Sequence, residues 1–257
     1  MLLKNKVCVI AGAGSLRGIG YATAELYAEH GARIVVTDIA MDAGVTSALR
    51  AAIEARTGLA PEILGVRCDI SEPSACEEVM AQATARYGKI DSLTNCAGIV
   101  ASRGFLDITP SEFGRMLQVN LLGAFNLCQS VLPWFEKQGS GAIVNVSSVA
   151  AQRGGGLVGG GHYAASKGGL TSLTKTIARE FGPRGIRANV VCPSMTDTGM
   201  LDGNMPADRY DAVVANIPLR RAGRPSEIAG ACLFLTSELS AYVTGATIDV
   251  NGGSHIH

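Results

Sequence analysis

The chain has 257 residues, enough to bury one sizeable α/β core. Hydrophobic residues make up 47% and charged residues 17%, with Lys+Arg and Asp+Glu equal at 22 each. That balance gives no bulk attraction to nucleic acid or to an anionic membrane surface, and no apolar run approaches the ~18 residues of a membrane span.

Met1 to Lys6 lead straight into a strand-like run, so no secretory signal is expected. The seven cysteines are scattered without a Cys-x-x-Cys pair, which predicts free thiols in a reducing, cytoplasmic setting. The histidines are His30, His162, His255 and His257. No metal set is expected from them; the terminal His-Ile-His reads as a solvated tail, and His162 as a loop or pocket-wall residue.

Short apolar runs at 7–11, 34–37, 63–68, 92–95, 143–146, 188–191 and 247–250 predict strands. Helical patterns fall between them, at 22–30, 43–56, 74–87, 111–135, 164–181 and 226–236. Strands without polar alternation predict a sheet buried on both faces. The alternation predicts right-handed crossovers and a parallel, doubly wound sheet. No linker divides the chain, so residues 1–257 are expected to form a single domain. Two segments break the rhythm: residues 154–161, with six glycines in eight, and residues 194–224, a long stretch with Pro206 and Pro218 that predicts a substrate loop.

Gly12, Gly14, Gly18 and Gly20 follow the first strand and lead into a helix, in Ala11-Gly12-Ala13-Gly14-Ser15-Leu16-Arg17-Gly18-Ile19-Gly20. Such a turn lets backbone approach a pyrophosphate at a helix N-terminus. Asp38 ends the second strand, eighteen residues after Gly20, followed by Ile39. A carboxylate there accepts from ribose hydroxyls and repels a 2′-phosphate, which favours NAD over NADP. Arg17 either contacts a phosphate or pairs with Asp38. Asp69 and Ile70 are placed to meet the adenine edge, while Asn95, Ala97 and Gly98 leave room for a cofactor at the strand ends.

Tyr163 and Lys167 are four apart on a helical pattern and therefore share a face. An ammonium beside a phenol favours phenolate and is expected to lower its pKa. Fifteen residues earlier, Ser148 offers a hydroxyl for a substrate oxygen.

Together these motifs resemble the short-chain dehydrogenase/reductase family across essentially the whole chain. The resemblance is carried by the Gly12–Gly20 turn, Asp69, Asn95-Cys96-Ala97-Gly98, Asn120, Ser148, Tyr163-x-x-x-Lys167, and Arg187-Ala188-Asn189 leading to Pro193. It extends to Thr244-Gly245-Ala246 and Asn251-Gly252-Gly253. The family likeness implies a Rossmann-type domain with a seven-stranded parallel sheet, assembled as a homotetramer. It implies a catalytic group of Asn120, Ser148, Tyr163 and Lys167, with Asn120 supporting a proton-relay water and Lys167 also holding the nicotinamide ribose. It places Ser15, Arg17, Gly18, Ile19 and Gly20 at the phosphates, and Pro193 and Thr198 beside the nicotinamide. This chain departs from the pattern in two extra residues before Gly18, in Cys96 for a second Asn, in Ser194 for a Gly, and in a long gap between Ser148 and Tyr163.

The expected function is hydride transfer between NAD(H) and a small-molecule secondary alcohol or ketone, extending to a polyol or sugar-derived substrate. No nucleic-acid or membrane partner is expected. A second reading is a 3-oxoacyl-thioester reductase, which would be expected to use NADPH. A third, of another class, is a non-catalytic nucleotide sensor on the same fold.

Overall fold

The strands are β1 (Val7–Ala11), β2 (Arg33–Asp38), β3 (Ile63–Arg67), β4 (Ser92–Asn95), β5 (Gly141–Val146), β6 (Ile186–Pro193) and β7 (Thr247–Val250). All pair in parallel in the order β3-β2-β1-β4-β5-β6-β7. The computed structural model describes residues 1–155, 158–202 and 207–256. Gly156 and Leu157 of the glycine-rich segment, Pro206 of the long stretch and His257 of the tail lie outside the described residues.

Helices α1 (Ile19–Glu29), α2 (Ala43–Thr57), α3 (Pro73–Tyr87), α4 (Pro110–Leu117) and α5 (Gly123–Gln138) follow in the N-terminal part. The C-terminal part adds α6 (Ala150–Arg153), α7 (Gly161–Phe181), α8 (Ala207–Ala215) and α9 (Pro225–Thr236). The result is the α/β, doubly wound Rossmann-type fold expected from strand–helix alternation.

β1 shows why its sequence is apolar at every position. Val7, Val9 and Ala11 enter one core with Val79, Leu127 and Phe135, while Cys8 and Ile10 enter the opposite core with Tyr27, Ile53 and Ile228. Period-two alternation therefore feeds two buried faces rather than one buried and one wet. Burying each of the larger side chains contributes about 1.5–3 kcal/mol.

The sequence pattern at 111–135 predicts one uninterrupted helix. The structure inserts a π turn, Gln118–Leu122, between α4 and α5. That wider turn carries Asn120, and such bulges interrupt helices where a side chain must be re-aimed. The long stretch after β6 is also more ordered than a bare loop: it contains a short 3-10 turn, Gly199–Leu201, and the helix α8. Part of the glycine-rich region is preceded by α6, which ends at Gly154 with φ 83°.

Order reverses at β1, which has β2 on one side and β4 on the other. The crevice at the carboxyl ends of β1 and β4 is the ligand side of such a sheet.

Candidate active site

The turn after β1 has no room for side chains. Gly12 has φ 78°, and a Cβ there would lie 2.5 Å from the Ala97 nitrogen beyond β4. A Cβ on Gly20 would collide with the Gly12 carbonyl, so α1 starts tight against the turn. The two extra residues close on themselves, since Gly18 N–H donates to the Ser15 carbonyl at 2.9 Å. Gly18 then serves as the extended N-cap of α1.

Asp38, at the end of β2, reaches back to this turn. Its carboxylate accepts from Gly14 N–H at 2.9 Å and from Ala40 N–H at 3.0 Å. A Cβ on Gly14 would lie 2.6 Å from the Asp38 Cγ, so the glycine is needed for the carboxylate to seat. Two backbone donors fix the group and leave it acceptor capacity for further hydroxyls. Arg17 does not pair with it. The guanidinium instead meets Asp202 at 2.7 Å and Asp197 at 3.8 Å, both in the segment after β6. The turn's extra length carries Arg17 outward, away from β2.

Other expected cofactor residues divide into walls and supports. Ile19, Gly98, Pro193 and Thr198 line the central cavity. Ile39 is exposed beside Asp38. Asn95 is buried, and its Oδ1 accepts from Ala97 N–H at 3.1 Å, which shapes the turn beyond β4. Ser71, through its hydroxyl and its N–H, holds the Asp69 carboxyl below the usual range. Ile70 is buried in the core against Gly123 and is absent from the described cavity lining.

The other wall is built from β5 and α7. Ser147 and Ser148 follow β5, and their roles separate. Ser147 is buried and donates to the Lys167 carbonyl at 2.9 Å, whereas the Ser148 hydroxyl accepts from Ala150 N–H at 3.1 Å and lies on the cavity wall. Tyr163 and Lys167 stack as their spacing predicts, with Lys167 Nζ 5.9 Å from the Tyr163 ring centroid. A Cβ on Gly159 would run into that ring, so the glycine-rich segment packs directly on the tyrosine.

The electrostatics correct one expectation. Burial pushes the Tyr163 phenol up, and the Ser148 hydrogen bond only partly opposes it. The phenol therefore lies above its ordinary value despite the neighbouring Lys167. Burial pulls the Lys167 amine itself down to about 8. Its Nζ donates to the Val146 carbonyl at 2.9 Å. Desolvation of both groups therefore outweighs their mutual influence.

Asn120 is a positioning residue here. Its Oδ1 accepts from Ile99 N–H at 2.8 Å, and its Nδ2 donates to the Ile99 carbonyl at 2.9 Å and to Ser166 Oγ at 3.1 Å. The amide clamps the loop after β4 onto α7, and the π turn is what aims it there. Of the four expected catalytic residues, Ser148, Tyr163 and Lys167 line the cavity, and Asn120 stands behind it. His162 is buried, and neither ring nitrogen has a hydrogen-bond partner.

The cavity has a volume of about 540 Å³. Val100, Val149, Val158, Met195, Met200, Leu201, Val213 and Ile217 give it an apolar wall. The same lining carries polar side chains, among them Ser194, Thr196, Thr198 and Asn216.

Comparison with known proteins agrees with this geometry. Residues 12–255 match the profile of the family described as enoyl-(acyl carrier protein) reductase. The chain belongs to the short-chain dehydrogenase/reductase family. It is 43% identical to an uncharacterized short-chain type dehydrogenase/reductase, y4mP, of Sinorhizobium fredii, over 100% of both chains. It is 38% identical to the 3-oxoacyl-[acyl-carrier-protein] reductase FabG of Thermotoga maritima, over 98% of this chain and 99% of the other. Among solved structures, levodione reductase superposes with a TM-score of 0.90 at 32% identity, over 98% of each chain. The protein is thus an oxidoreductase of a family that binds a nicotinamide cofactor.

The glycine cradle fits that cofactor, because it is closed to any Cβ and faces a carboxylate with acceptor capacity to spare. Short-chain dehydrogenase/reductase motifs alone did not reveal the wall residues Arg153, Met195, Thr196, Asn216 and Ser254. No local motif marks this side of the cavity, where Val213 lies on α8 and Ile217 two residues beyond its end at Ala215.

Proposed function

We propose that the protein transfers a hydride between NAD(H) and a secondary alcohol or ketone with an apolar body. The observation that carries this is the meeting of Ser148, Tyr163 and Lys167 on the wall of an apolar cavity beside the glycine cradle. The nicotinamide, when bound, supplies or accepts the hydride. Ser148 donates its hydroxyl hydrogen to the substrate oxygen. Tyr163 Oη gives that oxygen its proton in reduction and takes it back in oxidation. Lys167, cationic below about pH 8, favours phenolate when the proton has left and holds the ribose hydroxyls. The aliphatic wall excludes water from the reacting carbon.

Gly12, Ser15, Gly18, Ile19 and Gly20 would hold the pyrophosphate, Asp38 and Ile39 the adenine ribose, and Asp69 and Ile70 the adenine edge. Asn95, Ala97 and Gly98 would form the floor, with Pro193 and Thr198 beside the nicotinamide. The segment 194–224 acts as the substrate loop in this reading, supported by Met200, Leu201, Val213 and Ile217 on the cavity wall. Asp38 supports NAD, since a 2′-phosphate would meet a fixed carboxylate.

A homotetramer is part of the reading. Phe113, Leu122 and Phe125 are exposed around α4 and α5, and Leu239 and Tyr242 are exposed near β7, so two separate apolar patches are available for two kinds of contact. All seven cysteines are free, which supports a reducing cytoplasm.

The similarity to a 3-oxoacyl-[acyl-carrier-protein] reductase favours thioester reduction as a second reading. Assay of purified protein on cyclic ketones, medium-chain ketones, polyols and 3-oxoacyl thioesters, with NADH and NADPH, separates the two. The expected result is turnover of apolar ketones with NADH. Turnover confined to 3-oxoacyl thioesters with NADPH overturns the leading reading.

A further inference from the structure

Among the described residues, the cavity lining carries an exposed cation without an ion-pair partner. Its described lining contains two cationic side chains, Lys167 and Arg153, and no carboxylate side chain. Lys167 is buried and engaged with the Val146 carbonyl. Arg153 is different. It is the last residue of α6 and is exposed. One nitrogen, Nη1, donates to the Ser254 carbonyl at 2.9 Å. Among the described residues no carboxylate lies within ion-pairing distance of it. By contrast, Arg17 pairs with Asp202 and Arg221 with Glu227.

A neutral carbonyl orients a guanidinium without cancelling its charge, and four N–H donors remain. Beside it, Ser254 also lines the cavity, and its hydroxyl is buried just beneath the surface without a hydrogen-bond partner. A planar fork plus an orphan hydroxyl is a donor set suited to a carboxylate. Its place relative to the chemistry follows from the backbone. α6 starts two residues after Ser148, and the five-residue step from Ser148 to Arg153 along a helical path advances about 7.5 Å. The donors are therefore set back from the reacting oxygen along the cavity wall.

We infer that the cavity selects an amphipathic substrate, an apolar oxo acid or hydroxy acid whose carboxylate binds Arg153 and Ser254 while its carbonyl or carbinol lies on Ser148 and Tyr163. This rests on the hydride-transfer reading of the site and adds the polar end of the substrate to it. The apolar middle is held by Val149, Val158, Met200 and Ile217. The carboxylate remains in solvent contact at the mouth, so its desolvation cost is small while the bidentate geometry still discriminates.

The test uses a matched set of cyclic and medium-chain oxo acids, each with its uncharged amide, with NADH and NADPH. The wild type is expected to prefer each productive acid over its amide at least tenfold in kcat/KM, mainly through KM. In Arg153→Gln that acid-to-amide ratio falls at least tenfold, and Arg153→Lys recovers part of it. Circular dichroism and thermal melting of each variant separate a folding defect from lost recognition. Equal turnover of acids and amides by the wild type, or an unchanged ratio in a folded Arg153→Gln protein, overturns the inference and leaves the ketone reading standing. Failure of both acids and amides to react with either cofactor overturns the inference, and turnover of the uncharged cyclic and medium-chain ketones then decides whether the ketone reading stands.

Discussion

Arg17 and Asp202 are 185 residues apart in sequence and 2.7 Å apart in space. The pair ties the glycine turn to the segment that covers the cavity, and Asp197 adds a weaker contact at 3.8 Å. Both partners are largely exposed, so the pair contributes at most about 1 kcal/mol to global stability. Its effect is local. Arg17→Ala is expected to leave the melting temperature within a few degrees of the wild type. It is also expected to speed amide hydrogen exchange several-fold in residues 197–202. Unchanged exchange there removes the proposed tie.

Tyr163→Phe keeps the ring that packs on Gly159 but removes the proton carrier. Turnover is expected to fall by at least ~10²-fold, while NADH affinity by fluorescence titration changes little. Wild-type-like rates exclude Tyr163 as acid and base.

Burial lowers the Lys167 amine from 10.5 to about 8. Between those values the unfolded chain binds a proton that the folded chain has lost, so this residue makes stability rise with pH through that window. Below about pH 8 both states are protonated and the full penalty, about 3 kcal/mol, is present. Lys167→Met has no such group. Urea unfolding of both proteins at about pH 7 and pH 10 is expected to show the wild type gaining roughly 2–3 kcal/mol relative to the variant at the higher pH. A pH-independent difference contradicts the buried-amine description.

Asp38 is held by the backbone N–H groups of Gly14 and Ala40. Asp38→Ala removes the charge that opposes a 2′-phosphate. The NADPH-to-NADH ratio of kcat/KM is expected to rise at least tenfold, about 1.4 kcal/mol. A wild type that already prefers NADPH overturns the assignment of NAD.

The strands were the most legible part of the sequence. A buried parallel strand such as Val7–Ala11 is written as a continuous apolar run, a pattern that period-two amphipathic strands do not show. The Tyr163–Lys167 stack was equally legible, because helical spacing alone brings the two together. Three features were not. The π turn at Asn120 depends on a tertiary clamp to Ile99, which leaves no local signature. The direction of Arg17 depends on Asp202, on a segment that meets the turn only after folding. The high Tyr163 pKa depends on how deeply the phenol is buried, and a four-residue motif carries no record of depth.

The strand order has a consequence for synthesis on the ribosome. β1 pairs with β2 and β4, and β2 with β3, so half of the sheet is specified by the chain up to Asn95. Gly12, Asp38 and Gly98 all lie within the first hundred residues, so the nucleotide cradle can assemble before Ser148 or Tyr163 has been translated. Until Gly141 to Val146 emerge, the outer edge of β4 has no strand to pair with. A nascent chain paused there exposes an open sheet edge, the moment at which chaperone capture or misassociation is most probable.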